Sequence, residues 1–238
     1  MSRHGHPTKG VTVIDTMTPP RTPAPVREPQ SPPVHTTLQR FTDMANARGL
    51  ERARVVRSQR RRTEAVPRDG GGDFYAPLLA TLRRGLQAGG VERALAELLA
   101  RSAPGRREHF AAVAEGFVQV VDRLQVVGAV PTQRGPWRHA ELEVNVTGLF
   151  GVRLADGEQQ AWVLHKKAAP LEERAADLPL SIVDAMLAAR SSPLRVRVVD
   201  LRRAEVYGID DDQQRAELRD LAQAEAEAYV SLWRAAAA

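Results

Sequence analysis

The segment "VNVTGLFGVRLADGEQQAWVLHKK", residues 144–167, ends in residue types that could act on a phosphate ester. Two of the three lysines in the chain, Lys166 and Lys167, follow His165 directly. Alternation along a strand would put His165 and Lys167 on one face and Lys166 on the other. Such a strand end could be the edge of a metal-dependent nuclease site. A solvated strand end with no chemistry is the alternative interpretation.

The pattern around these residues predicts strands. In "AELEVNV", residues 140–146, apolar and polar side chains alternate, so Glu143 lies on the polar face. Two extended runs then flank Asp156 and Gly157, a pair of residues typical of a tight hairpin turn. Together these strands predict a three-stranded meander that ends near His165.

Helical patterns lie on both sides of the meander. We expect a short strand at 124–130, a loop at 131–139, a helix capped by Asp177 with Pro179 in its first turn, and a last strand at 196–201. The predicted body is therefore an α+β fold, an α/β sandwich in which helices precede a mixed sheet in βββαβ order and a C-terminal helix. The remaining helices are predicted at "FYAPLLATLRRGLQ", "VERALAELLARS", "GRREHFAAVAEGFVQVVDRL" and "DDDQQRAELRDLAQAEAEAYVSLWRAAAA".

The N-terminal part of the chain differs in composition from this body. Residues 1–35 contain 8 of the 16 prolines, which predicts disorder because such a segment cannot bury enough apolar surface. Residues 36–62 could form a short helix, and "RDGGGD" at 68–73 is typical of a flexible joint. We therefore predict a disordered arm over residues 1–70 and a single α/β body over residues 71–238.

Positive charge is concentrated in that arm. Residues 1–70 carry 13 basic and 6 acidic residues, whereas the whole chain has a net charge of +5. Such a basic arm would attract phosphates with little sequence preference, so DNA or RNA is the expected partner. The alternative is compositional drift, since arginine outnumbers lysine 31 to 3. The candidate nucleic-acid-binding residues are Arg52, Arg54, Arg57, Arg60, Arg61, Arg62 and Lys166.

Several functional classes are disfavoured by the sequence. The chain has no cysteine, which removes disulfides, thiolate zinc sites and cysteine nucleophiles, and suits a reducing cytoplasm. No apolar run approaches the roughly 20 residues of a membrane span, and the N-terminus lacks a secretory signal. There is no GxSxG, P-loop, HExxH or dinucleotide-binding motif.

The body resembles a group of uncharacterised actinobacterial proteins with a restriction-endonuclease-like, or PD-(D/E)XK, core. The resemblance covers residues 73–235 and rests on "FYAPLLATLRRGL", "VNVTGLFGVRLADGEQQAWVLHKKAAPLEERAADLPL", "VVDLRRAEVY" and "AEAEAYVSLW". It implies an αβββαβ core and Mg²⁺-dependent phosphodiester cleavage. Lys167 occupies the position of the motif lysine, but His165 stands where the second carboxylate is expected. Gly148 and Leu149 stand where those relatives have Pro-Glu.

The degenerate motif and the basic arm leave three functions open. The first is a nucleic-acid-associated protein with a nuclease-like body, a basic arm and no standard catalysis. The second is an active divalent-metal-dependent nuclease, with Glu143 and Asp156 as substitute metal ligands and with His165 and Lys167 in the catalytic set; Mg²⁺ is implied only in this case. The third is a non-enzymatic protein-interaction module. The nuclease interpretations require Glu143, Asp156, His165 and Lys167 to converge on one cleft.

Overall fold

The computed structural model describes residues 33–64 and 74–237, which form eight strands and seven helices. This mixed architecture confirms the predicted α+β class. No helix within these residues is both long enough and apolar enough to cross a bilayer.

The strands are β1 (Val34–Thr37), β2 (Val126–Val130), β3 (Gly135–His139), β4 (Leu142–Val146), β5 (Phe150–Leu154), β6 (Gln159–His165), β7 (Arg195–Asp200) and β8 (Glu205–Tyr207). The helices are α1 (Leu38–Asn46), α2 (Leu50–Glu64), α3 (Ala76–Ala88), α4 (Val91–Arg101), α5 (Pro104–Arg123), α6 (Glu173–Ala188) and α7 (Asp212–Ala235).

The larger sheet has the strand order β2-β5-β6-β7-β8. Strands β6 and β7 are parallel and are connected through α6, whereas the other neighbours are antiparallel. The predicted hairpin is confirmed at the β5–β6 turn, where Gly157 has a φ of +92°. The Asp156 carboxylate accepts a hydrogen bond from the backbone N–H of Glu158 at 2.9 Å, so this aspartate stabilises the turn.

Two apolar cores lie on opposite faces of this sheet, as the alternation in β6 illustrates. Trp162 and Leu164 belong to the core formed with α3, α4 and α5. Ala161 and Val163 belong to the core formed with α1, α2, α6 and α7. Strand β6 ends at His165, and its pairing with β7 extends to that residue.

The predicted three-stranded meander is wrong, because consecutive strands divide between two sheets. Strand β4 belongs to a second sheet of order β1-β4-β3, whereas β5 pairs with β2 and β6. Gly148, with a φ of +75°, lies in the connection between β4 and β5 and allows the chain to pass from the smaller sheet to the larger one. The stretch 131–139, predicted to be a loop, contains β3, which pairs antiparallel with β4.

Residues 34–64 of the predicted arm fold as part of the body, as β1, α1 and α2 instead of the single short helix expected at 36–62. Strand β1 pairs in parallel with β4, and Phe41 and Val56 are completely buried. A buried polar network fixes α2: the Tyr229 hydroxyl contacts Gln59 at 2.8 Å and Thr36 at 3.0 Å. Residues 1–32 and the predicted joint at 68–73 lie outside the described residues.

The two last helices differ in how well the sequence predicted their starts. Helix α6 begins at Glu173, one turn before the predicted cap, so Asp177 and Pro179 lie inside it. Burial, together with the neighbouring Glu173 carboxylate, raises the pKa of Asp177. Helix α7 begins within the predicted "DDDQQR" stretch, where the Asp211 side chain caps it by accepting from the Gln214 N–H at 2.7 Å.

Gly116 sets the approach of α5 to the end of β7. A Cβ atom at this position would lie 1.7 Å from the backbone carbonyl oxygen of Leu201. We expect Gly116→Ala to lower the free energy of unfolding by about 1–3 kcal/mol, since backbone rather than a flexible side chain must move. Urea denaturation measures this loss. Gly105→Ala is the matched control in the same helix, with nothing within 4 Å of the added Cβ, and an equal loss in both variants would contradict the packing described here.

Candidate functional site

A cleft of about 1400 Å³ lies beside the C-terminal end of β6 and is the candidate functional site. Two of the four predicted catalytic residues, His165 and Lys167, line it. The parallel strands β6 and β7 end side by side, with His165 in register with Asp200. Ligand sites in open α/β sheets commonly lie at the carboxyl ends of parallel strands. Of the four residues predicted to converge on one cleft, His165 and Lys167 therefore do so.

The hydrogen bond of His165 determines which ring nitrogen is available. Its Nε2 atom lies 2.8 Å from the carbonyl oxygen of Ala169. Because a carbonyl can only accept, Nε2 must carry the hydrogen, which leaves Nδ1 as the acceptor of a neutral ring. His165 therefore offers one lone pair and is held in one orientation by the loop that follows β6.

Lys167 forms an ion pair that the sequence did not suggest. Its Nζ atom lies 2.9 Å from Oδ1 of Asp43, a residue of α1 that also lines the cleft. Both side chains are about half exposed, so the pair contributes little to stability. The ammonium group is therefore held over the cleft and remains accessible to an anion.

The loop 166–171, which forms one wall of the cleft, is held by polar contacts, one of them buried. Asp200 is completely buried and accepts from the backbone N–H of Leu171 at 3.0 Å. Such a buried carboxylate is costly unless it is satisfied, and it is satisfied here. The Lys166 carbonyl accepts from Tyr75 Oη at 3.2 Å and from Arg202 Nε at 3.1 Å. Arg203 Nη2 donates to the Ala168 carbonyl at 2.7 Å, and Tyr207 Oη donates to the Leu171 carbonyl at 2.9 Å.

Glu143, a predicted catalytic residue and metal ligand, lies on the smaller sheet. Its carboxylate accepts from Arg138 Nε at 2.8 Å and contacts His35 Nδ1 at 3.2 Å. The hydrogen bond from Arg138 lowers the pKa of Glu143. Glu143 is thus part of a cross-strand charge ladder formed by β1, β4 and β3. It does not line the cleft that contains His165.

Asp156, the other predicted metal ligand, does not converge with His165. Asp156 lies in the turn before β6, whereas His165 ends that strand. At about 3.3 Å per residue, the two ends of β6 are roughly 20 Å apart. No group of three His, Cys, Asp or Glu side chains within residues 33–64 and 74–237 is placed to hold a metal ion. The residues present do not fit the implied Mg²⁺, and the four predicted catalytic residues form no common centre.

Two of the six arginines proposed to bind nucleic acid are used to attach α2 to the body. Arg52 forms an ion pair with Glu225 of α7. The Arg60 guanidinium lies 5.7 Å from the centre of the Trp233 ring and donates to the Trp233 carbonyl at 2.9 Å. Lys166 is also engaged, because its Nζ atom lies 5.5 Å from the centre of the Tyr75 ring. These three side chains contact the protein itself, so we do not assign nucleic-acid binding to them.

The other arginines of α2 point away from the body. Arg54, Arg57 and Arg61 are exposed and follow one another at helical spacings of three and four residues, so they share one face. We call these three residues the arginine face. Arg54 contacts Glu51 at 3.3 Å, whereas Arg57 and Arg61 make no ion pair within the described part of the chain. Arg62 donates to the Ser58 hydroxyl at 3.0 Å and lies outside this face.

Some residues of the cleft were not anticipated from the sequence. Asp43, Arg48, Asn145 and Arg174 line it from four different elements and loops, and no spacing in the sequence connects them. The signal for His165 and Lys167, by contrast, was their alternation at the end of a strand. Comparison with known proteins adds no further assignment: no protein-family model matches this chain, and no curated protein matches it.

Proposed function

We propose that this protein binds nucleic acid through the arginine face of α2. The observation that carries the proposal is that Arg54, Arg57 and Arg61 project together from a helix whose opposite side is buried in the body. Three guanidinium groups held at fixed spacing match the regular negative charge of a phosphate backbone. Binding would release condensed counterions and would depend little on sequence.

The dimensions of the arginine face suit a short stretch of backbone. Arg54 and Arg61 are seven residues apart, which corresponds to about 10 Å along a helix. This length covers two or three phosphates, because phosphates follow one another at several ångströms along a strand. A helix fixed by Val56 and Gln59, both buried, presents these charges with less loss of entropy than a flexible arm would.

The order of elements supports a nuclease-like body without standard catalysis. Helix α5, strands β2, β5 and β6, helix α6 and strand β7 follow one another as the restriction-endonuclease-like resemblance implies, with β3 and β4 inserted. The predicted metal ligands Glu143 and Asp156 do not join His165 and Lys167 in the cleft. The Asp43 carboxylate does, but it pairs with Lys167, and no group of three ligands forms within the described residues. We therefore favour binding over cleavage. We also propose the cytoplasm as the compartment, in keeping with a chain that has no cysteine.

Neutralising the arginine face tests this proposal. We expect Arg54→Gln, Arg57→Gln and Arg61→Gln, combined in one protein, to weaken binding of a labelled oligonucleotide by about tenfold or more at about 0.1 M salt. The loss should be similar for different base sequences, because phosphates are contacted rather than base edges. Fluorescence anisotropy of the full chain measures the affinities.

The matched control removes the same charge elsewhere. Arg93, Arg101 and Arg107 are exposed on α4 and α5, on the opposite side of the larger sheet. Their combined replacement by glutamine should leave the affinity within about twofold. Equal losses in the two triple variants would show that only net charge matters, and no loss in the first would remove the arginine face as the binding site. Cleavage of the oligonucleotide with Mg²⁺ or Mn²⁺ would instead support the nuclease alternative.

A further inference from the structure

We propose that the cleft beside β6 holds unpaired nucleotides, so that the protein prefers single-stranded nucleic acid to duplex. This inference rests on the proposed function and names the class of nucleic acid. The shared chemistry is a phosphodiester strand with exposed bases, whether DNA or RNA. Four observations support it: the position of the cleft, its charge, the composition of its walls and the rigidity of one of them.

The position of the cleft allows one strand to contact both it and the arginine face. Arg48 lines the cleft in the connection between α1 and α2. Arg52, in the first turn of α2, lines it as well. Arg54, the first residue of the arginine face, lies in the second turn of α2 on the side opposite Arg52, so the two surfaces meet at the N-terminal end of the helix, where Arg48 lies. A strand that follows α2 toward its N-terminus therefore arrives at the cleft.

The charge of the cleft favours an anion. Its lining contains five basic residues and three acidic ones. Two of the acids are already compensated, since Asp43 pairs with Lys167 and Glu225 pairs with Arg52. Arg48 is exposed and makes no ion pair within the described residues. Arg174 is likewise exposed and makes no ion pair within the described residues. The third acid, Glu172, is exposed to solvent two residues before Arg174. Arg48, Lys167 and Arg174 are the side chains that we assign to phosphates.

The walls of the cleft combine apolar surface with hydrogen-bonding groups, as a base requires. Leu79, Leu149 and Leu164 contribute aliphatic surface. Asn145 contributes an amide and His165 the Nδ1 lone pair identified above. Unpaired bases have apolar faces and polar edges that a paired base keeps inside the duplex. A volume of about 1400 Å³ accommodates a few nucleotides but not a double helix.

The wall formed by the loop 166–171 exists before any ligand arrives. Asp200 holds Leu171, and the side chains of Tyr75, Arg202 and Arg203 hold carbonyl oxygens of the same loop. A preformed wall lowers the entropy lost on binding. It also fixes the backbone from which Lys167 reaches the cleft.

The test compares probes and variants of the full chain. The probes are labelled oligo-dT and oligo-U of twelve nucleotides and a twelve-base-pair DNA duplex, measured by anisotropy at one salt concentration. We expect both single strands to bind about tenfold more tightly than the duplex. We expect Lys167→Gln combined with Arg174→Gln to remove most of that difference, since the cleft cations lie outside the arginine face.

The outcomes separate this inference from the proposed function. Equal affinity for single strand and duplex, or equal weakening of both by the Lys167 and Arg174 replacements, would overturn the cleft assignment and leave the arginine face untouched. Loss of all binding in the arginine-face variant supports the proposed function alone. The control pair Arg93→Gln and Arg107→Gln should change neither affinity, and circular dichroism should show that every variant remains folded. A preference for only one of the two single strands supports the cleft and assigns it to DNA or to RNA.

Discussion

Phe41→Ala is expected to lower the free energy of unfolding by about 3–5 kcal/mol. The Phe41 ring is completely buried, although it lies in the segment whose composition predicts a disordered arm. It packs edge-on against Tyr229 with ring centres 5.6 Å apart, and against Trp137 at 6.4 Å. Truncation leaves a cavity between α1, α7 and β3, because these elements are fixed by their own pairings. Urea or thermal denaturation of the full chain measures the loss.

Leu50 is the control for this prediction. It belongs to the same segment, at the start of α2, but 81% of its surface is exposed. Leu50→Ala should therefore change the free energy of unfolding by no more than about 0.5 kcal/mol. If both replacements are neutral, residues 34–64 are not docked on the body, and the arginine face loses its rigid support.

Asp200→Ala is expected to cost about 2–4 kcal/mol of stability. Removing the carboxylate leaves the buried backbone N–H of Leu171 without its acceptor, at about 1–3 kcal/mol. The partly buried backbone N–H of Arg202 loses its acceptor as well, at about 1 kcal/mol, because water can take the place of the carboxylate there. It also removes the ion pair with Arg203, which is partly exposed and contributes less. Denaturation with urea measures the change. The loop 166–171 should gain faster amide hydrogen exchange than the rest of the chain.

Two further variants make the Asp200 prediction specific. Asp200→Asn keeps one acceptor oxygen and should recover about half of the lost stability. Asp220→Ala removes a carboxylate from the exposed face of α7 and should be nearly neutral. A neutral Asp200→Ala variant would mean that the loop is not held by this carboxylate, and the preformed wall of the cleft would then have no support.

The local elements of the fold could be predicted, because they depend on periodicity. Alternation in β4, the Asp-Gly hairpin and the apolar stripe of α5 are all confirmed. The pairing of β1 with β4 could not be predicted, since His35 and Glu143 are 108 residues apart. Helix α2 was expected only as part of one short helix at 36–62, for another reason. Its buried side consists of Val56, Gln59 and the aliphatic parts of arginines, so composition concealed the pattern.

The candidate site was predictable only where a single strand determines it. The sequence places Lys167 two residues after His165, and both line the cleft. Strand β6 ends at His165 and Lys166 also lines the cleft, so the predicted alternation does not extend beyond the strand. The partner of Lys167 comes from a residue 124 positions away, Asp43, in a helix that the sequence did not connect with the body. Glu143 and Asp156 were grouped with them as substitute metal ligands. Glu143 lies on the smaller sheet, and the length of β6 separates Asp156 from His165.

The slope of log affinity against log salt concentration tests the central claim most directly, because it counts the phosphate contacts. It should be measured for the full chain and for the Arg54, Arg57 and Arg61 triple variant, with the same single-stranded oligonucleotide. Each lost contact to a single strand lowers the slope by about 0.7, so the variant should be less salt-dependent by about 2. Identical slopes for the two proteins would show that these arginines contact no phosphate.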